Sequence, residues 1–134
     1  MKKLLLILLC LPLMTLAQQT SYVPDANFEN YLESHDYNGL PCSFGSPNSM
    51  GNGIAHDSAV FTSAINTVDT LAVEGRNIAD LTGIEAFTAL TYLDCSDNQL
   101  NHIDVSSSLG LLTLKCNFNN LMQLNVSSNT SLLY

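Results

Sequence analysis

The 134-residue chain has no tryptophan and only four lysine and arginine residues against twelve aspartates and glutamates. Two of those four, Lys2 and Lys3, lie at the extreme N-terminus. From residue 4 onward Arg76 and Lys115 alone face all twelve acidic side chains, a net charge of −10. A chain so poor in cations cannot neutralise phosphates, which excludes nucleic acid and anionic membrane surfaces as partners. Catalytic signatures are also missing. There is no G-x-S-x-G to present a serine nucleophile, and no G-x-x-x-x-G-K-[ST] or G-x-G-x-x-G to cradle a phosphate. His35, Asp36, Cys42, His56 and Asp57 are metal-binding residue types, but the close C-x₂-C or H-x₃-H pairs of a structural zinc site do not occur. "HDYNG" and "SMGNG" lack the spaced oxygen ligands of a calcium loop. The sequence therefore predicts no enzyme, no cofactor and no metal.

The chain has one long apolar run, "LLLILLCLPL" from Leu4 to Leu13, behind the positive start at Lys2 and Lys3. It falls short of the roughly 20 residues that span a bilayer. Thr15 and Ala17 supply small residues at the −3 and −1 places of a cleavage site, so residues 1–17 read as a signal peptide. Leu9, before Cys10, is not the small residue that a lipoprotein site needs. The expected location is secreted or cell surface, with no membrane insertion once the signal is removed. Removing it leaves Gln18 to Tyr134, enough for one domain with a modest core. Three cysteines remain (Cys42, Cys95, Cys116), an odd number that cannot all pair within the chain.

What the sequence does contain is a repeat. From "LTYLDCSDNQL" onward, Leu93, Cys95, Asn98, Leu100, Ile103 and Val105 recur at identical spacing as Leu114, Cys116, Asn119, Leu121, Leu124 and Val126. In the other direction Val68, Leu71, Val73 and Ile78 hold the same register ahead of the central copy, with Arg76 in the place of the Asn. L-x-x-L-x-L-x-x-N-x-L, repeating within a period of roughly 20–29 residues, is the leucine-rich-repeat signature. Each copy predicts a short strand with alternate residues inward, then a bend where the Asn amide bonds backbone groups left unpaired inside the coil. Leu81, Ile84, Phe87 and Leu90 recur every third residue, so the first return predicts a short helix or 3₁₀ segment. "HIDVSSS" and "QLNVSSN" predict extended returns ending in turns. The fold class expected is an α/β leucine-rich-repeat solenoid, with a short parallel sheet on its concave face and a small helical N-terminal cap.

Residues 18–66 are read as that cap and 67–134 as repeats. Three copies run over about 68–89, 90–110 and 111–131, and a fourth opening at Leu132 is cut off. In the cap, "VPDANFENYLE" offers Pro24 or Asp25 as a helix start, with Phe28, Tyr31 and Leu32 on one face. "NGLPCSFGSPNSMGNG" reads as a long loop, and "HDSAVFTSAI" as holding a second short helix.

"YVPDANFENYLE", "SMGNGIA", "INTVDTL" and "NIADLTGIEAFTALTYLDCSDNQL" together resemble the N-terminal portion of exported bacterial leucine-rich-repeat proteins. "IADLTGIEAFTAL" is similar to the internalin-type repeat. The resemblance implies a cap, a run of repeats and often a C-terminal sorting domain. With the last repeat cut short and no such domain, the sequence reads as a truncated fragment.

Residues flanking the inward positions should face outward on the sheet: Thr70, Ala72 and Glu74, then Tyr92, Asp94 and Ser96, then Thr113, Lys115 and Asn117. This face is the candidate binding surface, since a curved sheet offers a broad, rigid platform. Tyr92, aromatic with a polar tip, is its leading contact. Cys95 and Cys116 are read as free, buried thiols, because parallel side-chain directions suit a disulfide poorly. Asn125 and Asn129 begin N-x-[ST] sequons that serve here as ordinary turn residues. The expected function is an exported, non-catalytic module binding a protein or glycan partner. The alternative is a passive scaffold within a larger exported enzyme.

The leader makes a direct prediction. N-terminal sequencing of the exported protein should begin at Gln18, and recovery of Lys2 and Lys3 in the exported form would contradict the signal-peptide reading.

Overall fold

The computed structural model describes residues 18–133, so the expected leader lies outside the described residues. Two small sheets organise the chain. Strand β1 (Thr20–Tyr22) runs antiparallel to β2 (Ala59–Phe61), with Thr20 opposite Phe61 and Tyr22 opposite Ala59. Strands β3 (Thr70–Ala72), β4 (Tyr92–Asp94) and β5 (Thr113–Lys115) form a parallel sheet in that order. The leucines found by spacing set its register: Leu71 pairs with Leu93, and Leu93 with Leu114. The ladder continues past the strands, where Val73 N–H donates to the Asp94 carbonyl and Cys95 N–H to the Lys115 carbonyl, both at 2.8 Å. Leu71, Val73, Leu93 and Cys95 are fully buried, as inward positions require.

At the bend after each strand the backbone turns through a left-handed residue, Gly75, Asp97 or Phe118, at φ of 65°, 54° and 54°. The next residue in the later copies is the asparagine of the repeat. Asn98 Oδ1 accepts from the N–H groups of Arg76 and Ile78, at 3.1 and 2.9 Å, in the preceding copy. Its Nδ2 donates to the carbonyls of Val73, Cys95 and Ser96. Asn119 repeats the arrangement one copy later, accepting from Leu100 N–H and donating to the Cys95, Cys116 and Asn117 carbonyls. One amide thus serves backbone groups that no ladder can reach.

Helix α1 (Ala26–Ser34) begins where Asp25 Oδ1 accepts from Asn27 and Phe28 N–H at 2.9 and 3.0 Å, so Asp25 is the cap. The other oxygen of the same carboxylate accepts from Ala79 and Asp80 N–H, just beyond the first repeat strand. Asn27 Nδ2 donates to the Asn77 carbonyl nearby. The helix buries Phe28, Tyr31 and Leu32, and the Phe28 ring stacks on Phe87 with centroids 6.3 Å apart. Glu29 and Glu33, one turn apart, are buried as well. Their carboxylates accept from Asp57 N–H and from Asn52 and Gly53 N–H, which ties the loop before β2 to the helix.

Residues 56–65 hold the expected second short helix only in their last turn. They form β2 and then a one-turn helix α2 (Thr62–Ile65). The reason is tertiary: β1, distant in the chain, supplies the strand's hydrogen-bonding partner. In the first return the threefold apolar spacing yields one 3₁₀ turn, Ile84–Ala86. Gly83 before it sits at φ 105°, where an added Cβ would lie 2.7 Å from the Tyr22 carbonyl oxygen and the Val23 side chain. The later returns run as turns without a ladder. The third copy has the more open core. Leu114, Cys116, Leu121 and Val126 are only partly buried, and Leu124 is 42% exposed. Among the described residues no strand lies beyond β5, so this layer has a bonded strand on one side only.

Two substitutions test this account. Asn98→Ala strands several buried N–H and C=O groups, each costing about 1–3 kcal/mol, while Leu93→Ala should cost about 2–5 kcal/mol through its cavity. Urea midpoints of both variants should fall well below the parent. An Asn98→Ala midpoint matching the parent would mean that the amide is dispensable.

Candidate functional site

The parallel register places the outer side chains in three columns. Tyr92 stands between Thr70 and Thr113, and Asp94 between Ala72 and Lys115. Ser96, Glu74 and Asn117 continue the grid past the strand ends, where Gly75 N–H donates to Ser96 and Asp97 N–H to Asn117. Thr70, Glu74, Lys115 and Asn117 are exposed, whereas Ala72, Tyr92, Ser96 and Thr113 are half-buried.

Asp94 differs from the open, outward residue expected, being only 8% exposed. Its neighbours close over it. Lys115 Nζ lies 3.4 Å from Asp94 Oδ2 and 5.4 Å from the Tyr92 ring centroid, and the Tyr92 hydroxyl donates to the same oxygen at 3.4 Å. Ser96 donates to Oδ1 through both its N–H and its hydroxyl. Burial pushes the Asp94 carboxyl pKa up, but the Ser96 bonds and the Lys115 ammonium outweigh it and hold the group below its usual range. Tyr92 and Asp94 in turn raise the Lys115 pKa above its ordinary value. The charge at the centre of the face is therefore neutralised internally. Glu74 is its unpaired acid, and Tyr92 its fixed aromatic.

Cys95 and Cys116 lie inward on neighbouring copies, both free thiols. Cys95 is fully buried and its Sγ–H faces the Lys115 carbonyl at 3.3 Å. Burial, aided by Cys116 and Asp94, pushes its pKa up to about 12; burial raises Cys116 as well. Such thiols are poor nucleophiles.

Of the metal-type residues of the N-terminal segment, His35 and Asp57 have other partners. His35 stacks on Tyr31 and bonds its carbonyl through Nδ1, and Asp57 accepts from Asn52 Nδ2. Among the described residues no three His, Cys, Asp or Glu side chains converge to hold an ion. A cleft of about 400 Å³ beside β2 is walled by Gln18, Ser46, Ser49, Asn52, Phe61 and Ser63, with no titratable side chain. Among the described residues no helix is long and apolar enough to cross a membrane.

Sequence reasoning missed three features. Asp25 serves two elements at once, Phe118 is an aromatic 80% exposed at a left-handed bend, and Arg76 lies over the Tyr31 ring, 5.2 Å from its centroid. Only the last had a signal in the sequence, the break in the asparagine pattern at residue 76.

No protein-family model and no curated protein matches the chain. Solved structures do. The functional domain of InlJ from Listeria monocytogenes, described as including a cysteine ladder, is 27% identical, with a TM-score of 0.65 over 87% of this chain and 23% of that one. An internalin, InlF, from the same species is 21% identical, with a TM-score of 0.62 over 88% of this chain and 32% of that one. The chain has an internalin-like leucine-rich-repeat fold with a short parallel sheet. It spans about a quarter to a third of the length of these two structures.

Thiol chemistry tests the packing. Cys95 should resist iodoacetamide in the native protein and react once urea unfolds it, with Cys42 labelling sooner. Because the folded thiol ionises near 12 and the ordinary value is 9.0, the unfolded chain loses its proton first. Stability should then fall with rising pH above about 9. Native labelling of Cys95 as fast as Cys42 would contradict its burial.

Proposed function

We propose that the chain is an exported, non-catalytic module that binds a protein or glycan at or outside the bacterial cell surface. Residues 18–66 act as its N-terminal cap and residues 67–134 as its solenoid of repeats. The contact surface is the concave sheet face: Thr70, Glu74, Tyr92, Asp94, Ser96, Thr113, Lys115 and Asn117. The observation that carries this reading is the in-register grid of outer side chains on three bonded strands. A surface already ordered in the free protein loses little conformational entropy on binding. The internalin-like fold supports the same reading. Cys95 and Cys116, inward on adjacent copies, read as two rungs of a ladder like the one described for InlJ.

Two acids and one cation leave the face with a net negative charge, and the whole chain is acidic. The partner should therefore present basic or hydrogen-bonding groups, and its association rate should fall with added salt. Tyr92 is the anchor, since burying its ring against a partner displaces water from both Tyr92 and the Lys115 stem.

The chain should be screened against arrays of bacterial glycans and surface proteins, with each hit re-measured by biolayer interferometry. Tyr92→Ala should weaken a genuine hit by about tenfold or more, the range of a central aromatic anchor, and leave the urea midpoint nearly unchanged. Gln123→Ala, on the return side, should have no effect. A hit insensitive to Tyr92→Ala and Glu74→Ala would place binding elsewhere, and no hit at all would favour the passive scaffold.

A further inference from the structure

Arg76 departs from its own repeat. Asn98 and Asn119 hold the same place in the later copies and turn inward, but Arg76 is exposed and stacks over Tyr31 of α1. Tyr31 is itself backed by His35, with centroids 4.0 Å apart and planes 13° from parallel. Beside these three side chains a cleft of about 260 Å³ opens between the helix and the bend at Gly75–Asn77.

Charge makes the cleft distinctive. Arg76 and Lys115 are the two cations of the described residues. Lys115 is engaged by Asp94, whereas among the described residues no carboxylate lies within ion-pairing distance of Arg76. A guanidinium carries five N–H donors in a planar fork suited to bidentate oxyanion recognition. The guanidinium lies over the Tyr31 ring, and because Arg76 is exposed its N–H edges are open to a ligand. The other polar side chains of the cleft are the amides of Asn27, Asn30 and Asn77, the His35 ring, and the Ser34 hydroxyl, which donates to the Asn30 carbonyl and keeps its acceptor lone pairs.

The surroundings limit the ligand's charge. Burial raises the Tyr31 phenol pKa above its usual value, Arg76 opposes the rise, and Glu74 and Asp36 add to it. Both acids are thus close to the cleft. A monoanion matches the single cation, while a dianion would bring surplus charge toward Glu74 and Asp36.

We propose that this cleft, separate from the sheet face, binds a carboxylated monosaccharide of the uronic-acid class. Its carboxylate pairs with the Arg76 fork, and its hydroxyls bond the Asn30 and Ser34 side chains.

Galacturonate, galactose and galactose 6-phosphate should be titrated into the full-length, isotope-labelled chain and followed by NMR. Galacturonate should shift the Arg76 Nε–H and Asn30 amide resonances saturably, with galactose and the phosphate ester at least about tenfold weaker. Arg76→Gln should lose that difference between galacturonate and galactose. Arg76→Lys should lose most of it too, because an ammonium cannot form the fork. Asn30→Leu, an exposed helix position, should weaken galacturonate without lowering the thermal midpoint. Absence of saturable shifts in the parent chain would overturn the proposal, as would equal binding of galactose, tighter binding of the phosphate ester, or galacturonate affinity unchanged in a folded Arg76→Gln variant.

Discussion

A chain that lays short strands side by side must turn sharply between them, and each turn leaves backbone N–H and C=O groups inside with no strand to pair with. Burying them unsatisfied would cancel much of what the leucine core contributes. Asn98 answers this with five bonds reaching two copies, and Asn119 with four. An amide suits the task because it carries both an acceptor oxygen and two donor hydrogens on one short arm. Leucine supplies the apolar interior, but asparagine makes the backbone's path through it tolerable.

The first copy has no preceding copy to lean on, and α1 takes that place with different chemistry. Asp25 caps the helix and meets two N–H groups beyond Ile78. Asn27 bonds the Asn77 carbonyl, and Phe28 packs on Phe87. Arg76, released from the inward asparagine role, reaches out to Tyr31 instead. The exception to the repeat at residue 76 thus marks where helix meets sheet.

The parts of this structure that were legible in the sequence are those encoded locally and repeatedly. Leu71, Leu93 and Leu114 recur at a spacing that fixes the strand register, and Phe28, Tyr31 and Leu32 recur at helical spacing behind an aspartate cap. What escaped depends on distant partners. Ala59–Phe61 is a strand because Thr20–Tyr22 lies alongside, and nothing in "HDSAVFTSAI" announces that neighbour. Alternation alone placed Asp94 outward, but its burial comes from Lys115 one copy on and Tyr92 two residues back. Alternation within one strand carries no trace of a pairing made between copies.

The first copy is longer than the second by a single position, since Leu71 pairs with Leu93 and Leu93 with Leu114. The extra position falls between Ile78 and Leu90, a stretch matched by Leu100 to Leu111 in the next copy. That is the arc that holds the 3₁₀ turn. Strand alignment is untouched by the difference, because leucines and asparagines pin the other half of each copy. Insertions and deletions can therefore accumulate on the return side during divergence, while the sheet side admits exchange of side chains but not of length. Lineages descended from such a chain should vary by gaps on one flank and by point substitution on the other.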